Sequence, residues 1–134
     1  MKNILTFSLV FLGLTLFSQD ISKMLQANKW YAKYDTKTMK MIYSKKTTVS
    51  NQESYEFREN GKIVWCGMAE ESSLDAHGLE KKSTHFICDS IRKYEVKNGM
   101  LMTQLLKQTP EYFKLAMKGE TVELTPIKAE QFNK

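Results

Sequence analysis

The chain has 134 residues, 42% hydrophobic and 26% charged, with 20 Lys and Arg against 15 Asp and Glu and a formal net charge of +5. That length suits one domain, able to bury a core without metal or a dense disulfide network. The positive excess is almost all lysine spread along the chain, with Arg58 and Arg92 the only arginines; nucleic-acid faces concentrate Arg among aromatics, so a solvated surface with at most mild attraction to anions is the better reading.

Met1-Lys2-Asn3 carries one positive charge, Ile4 to Phe17 is a nearly unbroken apolar run, and Ser18-Gln19-Asp20 turns polar. This is the layout of a secretory signal peptide. The run is short of the roughly 20 residues a membrane-spanning helix needs. Ser18 supplies a small residue for cleavage, although Leu16 is bulkier than such sites prefer. The expected division is a signal peptide over 1–18 and one domain over 19–134. No cysteine lies near the cut, which disfavours a lipid anchor. The mature chain is then exported, periplasmic or secreted, with no transmembrane segment.

After the cut, Asp20 can cap a short helix in which Ile21, Met24 and Leu25 recur at helical spacing, ending near Asn28. The rest reads as strand and turn. Trp30, Ala32 and Tyr34 share one face of a first strand, Met39, Met41 and Tyr43 one face of a second, and Tyr55 and Phe57 one face of a third. Asn60-Gly61 and Asn98-Gly99 suit two-residue type I′ turns, and Gly119-Glu120 a type II′ turn. Three hairpins follow: 53–59 with 62–70, 90–97 with 100–107, and 111–118 with 121–126. A polar loop is expected over 71–83, and Pro110 breaks the chain before the last hairpin.

Cys66 and Cys88 are the only cysteines. An even pair in an oxidising compartment favours a disulfide over two free thiols, and their separation excludes a CxxC motif. The turn at 60–61 sets Phe57 opposite Val64 and Tyr55 opposite Cys66. If Cys66 faces Cys88, Met68 faces Phe86 and Glu70 faces Thr84. The later turns pair Val96 with Leu101, Tyr94 with Thr103, and Leu115 with Leu124. One apolar face results, holding Tyr55, Phe57, Val64, Cys66, Met68, Phe86, Cys88, Tyr94, Leu101, Leu105 and Leu124. Glu56, Arg58, Lys93, Glu95 and Lys114 take the other. An antiparallel succession with one oily face hides it by curling into an all-β, up-and-down eight-stranded barrel with a short N-terminal helix; a sandwich is the alternative.

The short helical lead-in, a first-strand Trp30, Tyr55-x-Phe57-x-x-Asn60-Gly61-Lys62, Tyr94-x-Val96-x-Asn98-Gly99-x-Leu101 and the closing Gly119-x-x-Val122-x-Leu124 together resemble small secreted bacterial lipocalin-like (calycin) domains. Asn28-Lys29-Trp30 stands where that family has Gly-x-Trp. The resemblance implies an eight-stranded barrel, often with a cavity for a small apolar ligand.

Arg92 falls on the inner face, where its planar fork suits a carboxylate, as on a fatty-acid-like ligand. Competing readings are a strand-end arginine reaching solvent, or one stacked on an aromatic such as Trp30. Tyr94, Tyr55, Phe57, Met68, Phe86 and Leu105 complete the candidate ligand-binding set. The abundant methionines suit an adaptable pocket but equally plain core filling. Met100 and Met102 point outward, which implies either a covered patch or a failed register. Trp65 alternates away from the interior and is a candidate partner contact. His77 and His85 lack the companions a metal needs, and no nucleophile elbow is present. The expectation is a non-enzymatic protein, without cofactor, holding a small hydrophobic or fatty-acid-like ligand inside a barrel. The alternative is a structural or protein-interaction module of the cell envelope with a filled core.

Overall fold

The computed structural model describes residues 20–134; the signal-peptide expectation for 1–18 lies outside the described residues. Helix α1 (20–26) leads into β1 (Lys29–Asp35), β2 (Lys40–Ser44), β3 (Ser54–Phe57), β4 (Lys62–Leu74), β5 (Glu80–Lys97), β6 (Met100–Leu105), β7 (Glu111–Lys118) and β8 (Thr121–Pro126), and α2 (Ala129–Phe132) closes the chain. All strand pairs are antiparallel and the sheet closes on itself in the order β1-β2-β8-β7-β6-β5-β4-β3. The expected eight-stranded barrel is present and is consistent with a calycin-like fold. Simple succession is broken once. β1 lies between β2 and β3, so segment 45–53 crosses outside β1, where Gln52 donates to the Ala32 carbonyl (2.8 Å) and the Glu53 carbonyl accepts from the Ala32 amide (2.9 Å).

α1 ends because its last carbonyls find partners beyond it. The Asn28 side chain donates through Nδ2 to the Met24 carbonyl (3.0 Å) and the Trp30 indole to the Leu25 carbonyl (3.0 Å), satisfying two groups the helix leaves unpaired. These bonds lay α1 across one end of the barrel. Ile21 and Leu25 join Trp30, Ala32, Tyr43, Phe57, Ile63, Leu101, Val122 and Leu124 in one buried cluster. That end holds the β3–β4, β5–β6 and β7–β8 turns.

The Asn98-Gly99 turn has both central residues at positive φ (51° and 72°), as a type I′ turn requires, and the expected pairs Val96–Leu101 and Tyr94–Thr103 form. Leu115–Leu124 and Met117–Val122 also form. The Asn60-Gly61 turn differs. Arg58 pairs with Lys62, the Gly61 amide donates to the Arg58 carbonyl (3.1 Å), and only Gly61 has positive φ (75°). This is a three-residue loop with a glycine bulge. It shifts the register by one, so Phe57 meets Ile63 and Tyr55 meets Trp65. Ile63 and Trp65 therefore share the interior side with Tyr55. Val64, Cys66, Met68, Phe86 and Cys88, expected inside, lie on the opposite side of the sheet.

The cysteine pairing is nonetheless as expected. Cys66 bonds Cys88 with Cα atoms 4.1 Å apart, and Met68–Phe86 and Glu70–Thr84 are opposite pairs. The expected 71–83 loop is mostly strand. β4 and β5 run on to Leu74 and Glu80, and only 75–79 turn, with Asp75 Oδ1 accepting from the amides of His77 and Leu79 (2.8 and 2.9 Å). Beyond the disulfide, eight residue pairs form a two-stranded ribbon with no third strand among the described residues. It extends for about 25 Å at the usual rise per residue.

Met100 and Met102 do point outward, in a correct register. α2, which the sequence reading did not anticipate, packs there. Buried Phe132 lies 5.2 Å from the ring of Tyr112, the partner of Met102, and Met100 shares a groove with Ile127 and Gln131.

Candidate functional site

The end of the barrel away from α1 is open. A cavity of about 660 Å³ lies there, within the range of small-molecule sites. Its wall mixes Met41, Tyr43, Phe113 and Leu124 with Arg92, Gln104, Gln108 and Glu111, and the β6–β7 connection supplies Lys107 and Thr109 at the rim.

The polar side of the cavity is built on β3, β4 and β5. A register irregularity between Ile63 and Trp65 brings Arg92 and Asp89, three positions apart, onto the same side. The Arg92 guanidinium lies over the Trp65 indole, 4.8 Å from the ring centroid, a favourable cation–π geometry. Its Nη1 stands 3.9 Å from Asp89 Oδ1, too far for a hydrogen bond, and neither atom has a hydrogen-bond partner although both are buried. Gly67 makes room for this stack. A Cβ there would run into Trp65 Cζ2.

Glu53, delivered by the crossing segment, anchors the arrangement from the other side. Its Oε1 accepts from the Tyr55 hydroxyl (2.6 Å) and the Trp65 indole N–H (2.7 Å). Tyr55 stacks on Tyr43 with centroids 5.2 Å apart. Burial pushes both phenols well above the usual tyrosine value of 10.0; the negative charge of Glu53 adds to the rise of Tyr43, and Tyr43 and Glu53 add to that of Tyr55. Both therefore stay neutral near neutral pH and act as donors or apolar walls.

Of the candidate set, Arg92, Tyr55 and Leu105 line the cavity. Phe57 and Tyr94 do not. Phe57 is buried in the packed half, edge-on to Tyr94 at 4.9 Å. The Tyr94 hydroxyl accepts from Gln26 of α1 and donates to the Arg58 carbonyl, both at 2.8 Å. Met68 (51% exposed) and Phe86 (42%) sit on the ribbon. Trp65, expected outside, is instead a half-buried part of the site. Tyr43 and Met41 share a strand face as expected, whereas the positions of Glu53, Asp89 and Trp65 follow from the loop path, the bulge and the true register.

Elsewhere on the ribbon, Ser83 Oγ (3.1 Å) and Glu71 Oε2 (3.5 Å) both approach His85 Nε2. A triad needs its nucleophile and its orienting carboxylate on opposite nitrogens of the histidine ring, so this exposed trio lacks triad geometry. Among the described residues, no group of three or more His, Cys, Asp and Glu is placed to hold a metal, and no helix is long and apolar enough to cross a membrane. The Cys66–Cys88 bond fits an oxidising compartment. No family model, curated protein or solved structure matches this chain. The fold and the cavity together show a closed, eight-stranded antiparallel β-barrel with one open end, consistent with a calycin-like fold.

Proposed function

We propose that the protein is an exported, non-enzymatic, lipocalin-like carrier that holds a small amphipathic molecule, with a fatty-acid-like apolar body and a carboxylate head, in the open half of the barrel. The observation that carries this reading is Arg92. A buried guanidinium nitrogen without a hydrogen-bond partner is costly, and a carboxylate entering the cavity relieves that cost with charge-assisted bonds. Trp65 and Asp89 hold the guanidinium in place, while Met41, Phe113 and Leu124 offer apolar contact to a chain. The export part rests on the N-terminal sequence and the disulfide.

An environment-sensitive apolar dye should bind saturably and be displaced by fatty acids. Because hydrogen bonds to charged groups contribute about 1.5–3 kcal/mol, an acid should compete at least roughly tenfold better than the alcohol of equal chain length. Arg92→Met keeps the bulk over Trp65 and should abolish that preference while retaining alcohol binding. An absence of saturable binding, or an acid preference unchanged in the variant, defeats the reading. The exposed ribbon favours a second role, contact with another chain.

A further inference from the structure

The ribbon leaves a long strand edge open, and its chemistry is complementary to itself. From the root at Cys88 to the start of β5, the strand pairs only with β4 among the described residues. Which residues present their backbone to that open edge can be read twice. The Asp75 amide donates to the Leu79 carbonyl, so odd-numbered pairs such as Ser73–Lys81 and Ala69–His85 are the hydrogen-bonded ones. The narrow 4.1 Å Cα spacing at Cys66–Cys88 marks the even pairs as non-hydrogen-bonded. Lys82, Thr84, Phe86 and Cys88 therefore direct their N–H and C=O groups away from β4, into solvent. Stretches of this kind, without Pro or Gly and with Phe86 and Ile87 both 42% exposed, are templates for another strand.

We propose that the occupant of this edge is a second copy of the same chain, segment 81–89 pairing antiparallel with itself about a two-fold axis at His85. Only some self-registers match the backbone, because even residues must meet even residues. The one centred on His85 sets Lys82 opposite Cys88 and Thr84 opposite Phe86, each an even pair. It also sets Lys81 opposite Asp89, and symmetry forms that charge pair twice. Opposed charges at directly facing positions favour pairing. On one face, Phe86 of each copy meets the other diagonally, within reach for aromatics, joining the two Met68–Phe86 pairs into one apolar strip. Moving the dyad by one residue either way loses the Lys81–Asp89 match: Lys81 then faces Ile87 or Ile91. The result is a four-stranded sheet, β4-β5 of one copy continued by β5-β4 of the other. A two-stranded ribbon is marginal in water and gains independent stability from further strands. Asp89 is shared with the cavity, since its Oδ1 stands 3.9 Å from Arg92 Nη1, but the backbone pairing along the edge does not depend on what the barrel holds.

Sedimentation velocity of the purified, disulfide-intact protein over a dilution series should show a monomer–dimer equilibrium. Thr84→Pro removes an amide that faces the open edge and leaves the β4–β5 ladder intact, a position where sheets tolerate proline. It should give monomer with an unchanged barrel spectrum and no free thiols. Lys81→Asp turns two attractive pairs into two repulsive ones and should weaken association roughly tenfold or more. Mild oxidation of His85→Cys should produce disulfide-linked dimer, since facing non-hydrogen-bonded positions suit the bond, whereas Ser73→Cys on the other strand should not. Monomer at every concentration, as expected if the edge serves a different chain, overturns the proposal. So does a dimer indifferent to Thr84→Pro, or one that Ser73→Cys links as readily as His85→Cys.

Discussion

At one end of the barrel α1 fills the opening with its fully buried Leu25, and Trp30, Ile63, Leu101 and Val122 are fully buried beneath it. At the other end the same strands enclose a cavity and continue into a ribbon on which Leu74 (74%) and Leu79 (67%) stand in solvent. β5 spans both regimes. Val96 and Tyr94 pack against the core, Arg92 faces the cavity, and Phe86 is exposed. Close packing supplies stability at the α1 end. That frees the open end to keep polar atoms unpaired and strand edges bare, features a small domain tolerates only where its stability does not depend on them.

The contrast can be broken at its strong side first. Trp30→Ala removes the largest fully buried side chain and the donor to the Leu25 carbonyl. It should cost about 3–5 kcal/mol, read as a lowered urea midpoint. A loss below 1 kcal/mol would mean that the α1 end is not where stability resides.

The double change Cys66→Ala and Cys88→Ala probes the junction. The bond closes a 22-residue separation, for which chain entropy gives about 3 kcal/mol. If the ribbon is an appendage, hydrogen exchange in the variant should accelerate over 67–87 and stay slow at Trp30 and Leu101. Equal acceleration in both places would erase the distinction drawn between them.

Tyr43 and Tyr55 stand where packing gives way to cavity. Their folded values lie above 10.0 because burial disfavours phenolate, whereas unfolded tyrosines ionise near 10.0. Stability is therefore intact below pH 10 and falls as pH rises beyond it. For Tyr43 alone the loss should reach about 1.4 kcal/mol by pH 11. The urea midpoint, followed with tyrosinate absorbance, should decline over that range, and more gently in Tyr43→Phe. A flat profile to pH 11 would show these phenols to be wet.

How much of this could be read from residue order is best judged at the two Asn-Gly pairs. Asn98-Gly99 makes the expected tight turn. Asn60-Gly61 does not, because the Gly61 carbonyl accepts from the Tyr94 amide (2.9 Å) and the Arg58 carbonyl from the Tyr94 hydroxyl (2.8 Å). Those contacts with β5 favour the bulged loop, and no local signal announces them. Alternation offered no warning either, since β4 is apolar on both sides: Ile63, Trp65 and Ala69 on one, Val64, Cys66 and Met68 on the other. The cysteine pairing survived the slip because it depends on which residues are opposite across β4 and β5, not on which side they point. Arg92 shares its side with Tyr94 and Leu105, as the Asn98-Gly99 register predicts, but not with Cys88, because the irregularity in β5 intervenes. Glu53 was missed because a connection crossing β1 leaves no periodic mark.

The hydrogen at position 67 has a consequence out of proportion to its size. Any methyl there collides with the indole beneath Arg92, so natural variation at this one codon would tilt the aromatic shelf and swing the cation off its aim. Under the proposed carrier role, selectivity for a charged guest would thus drift through a position that never touches the guest, leaving every wall-forming side chain unaltered.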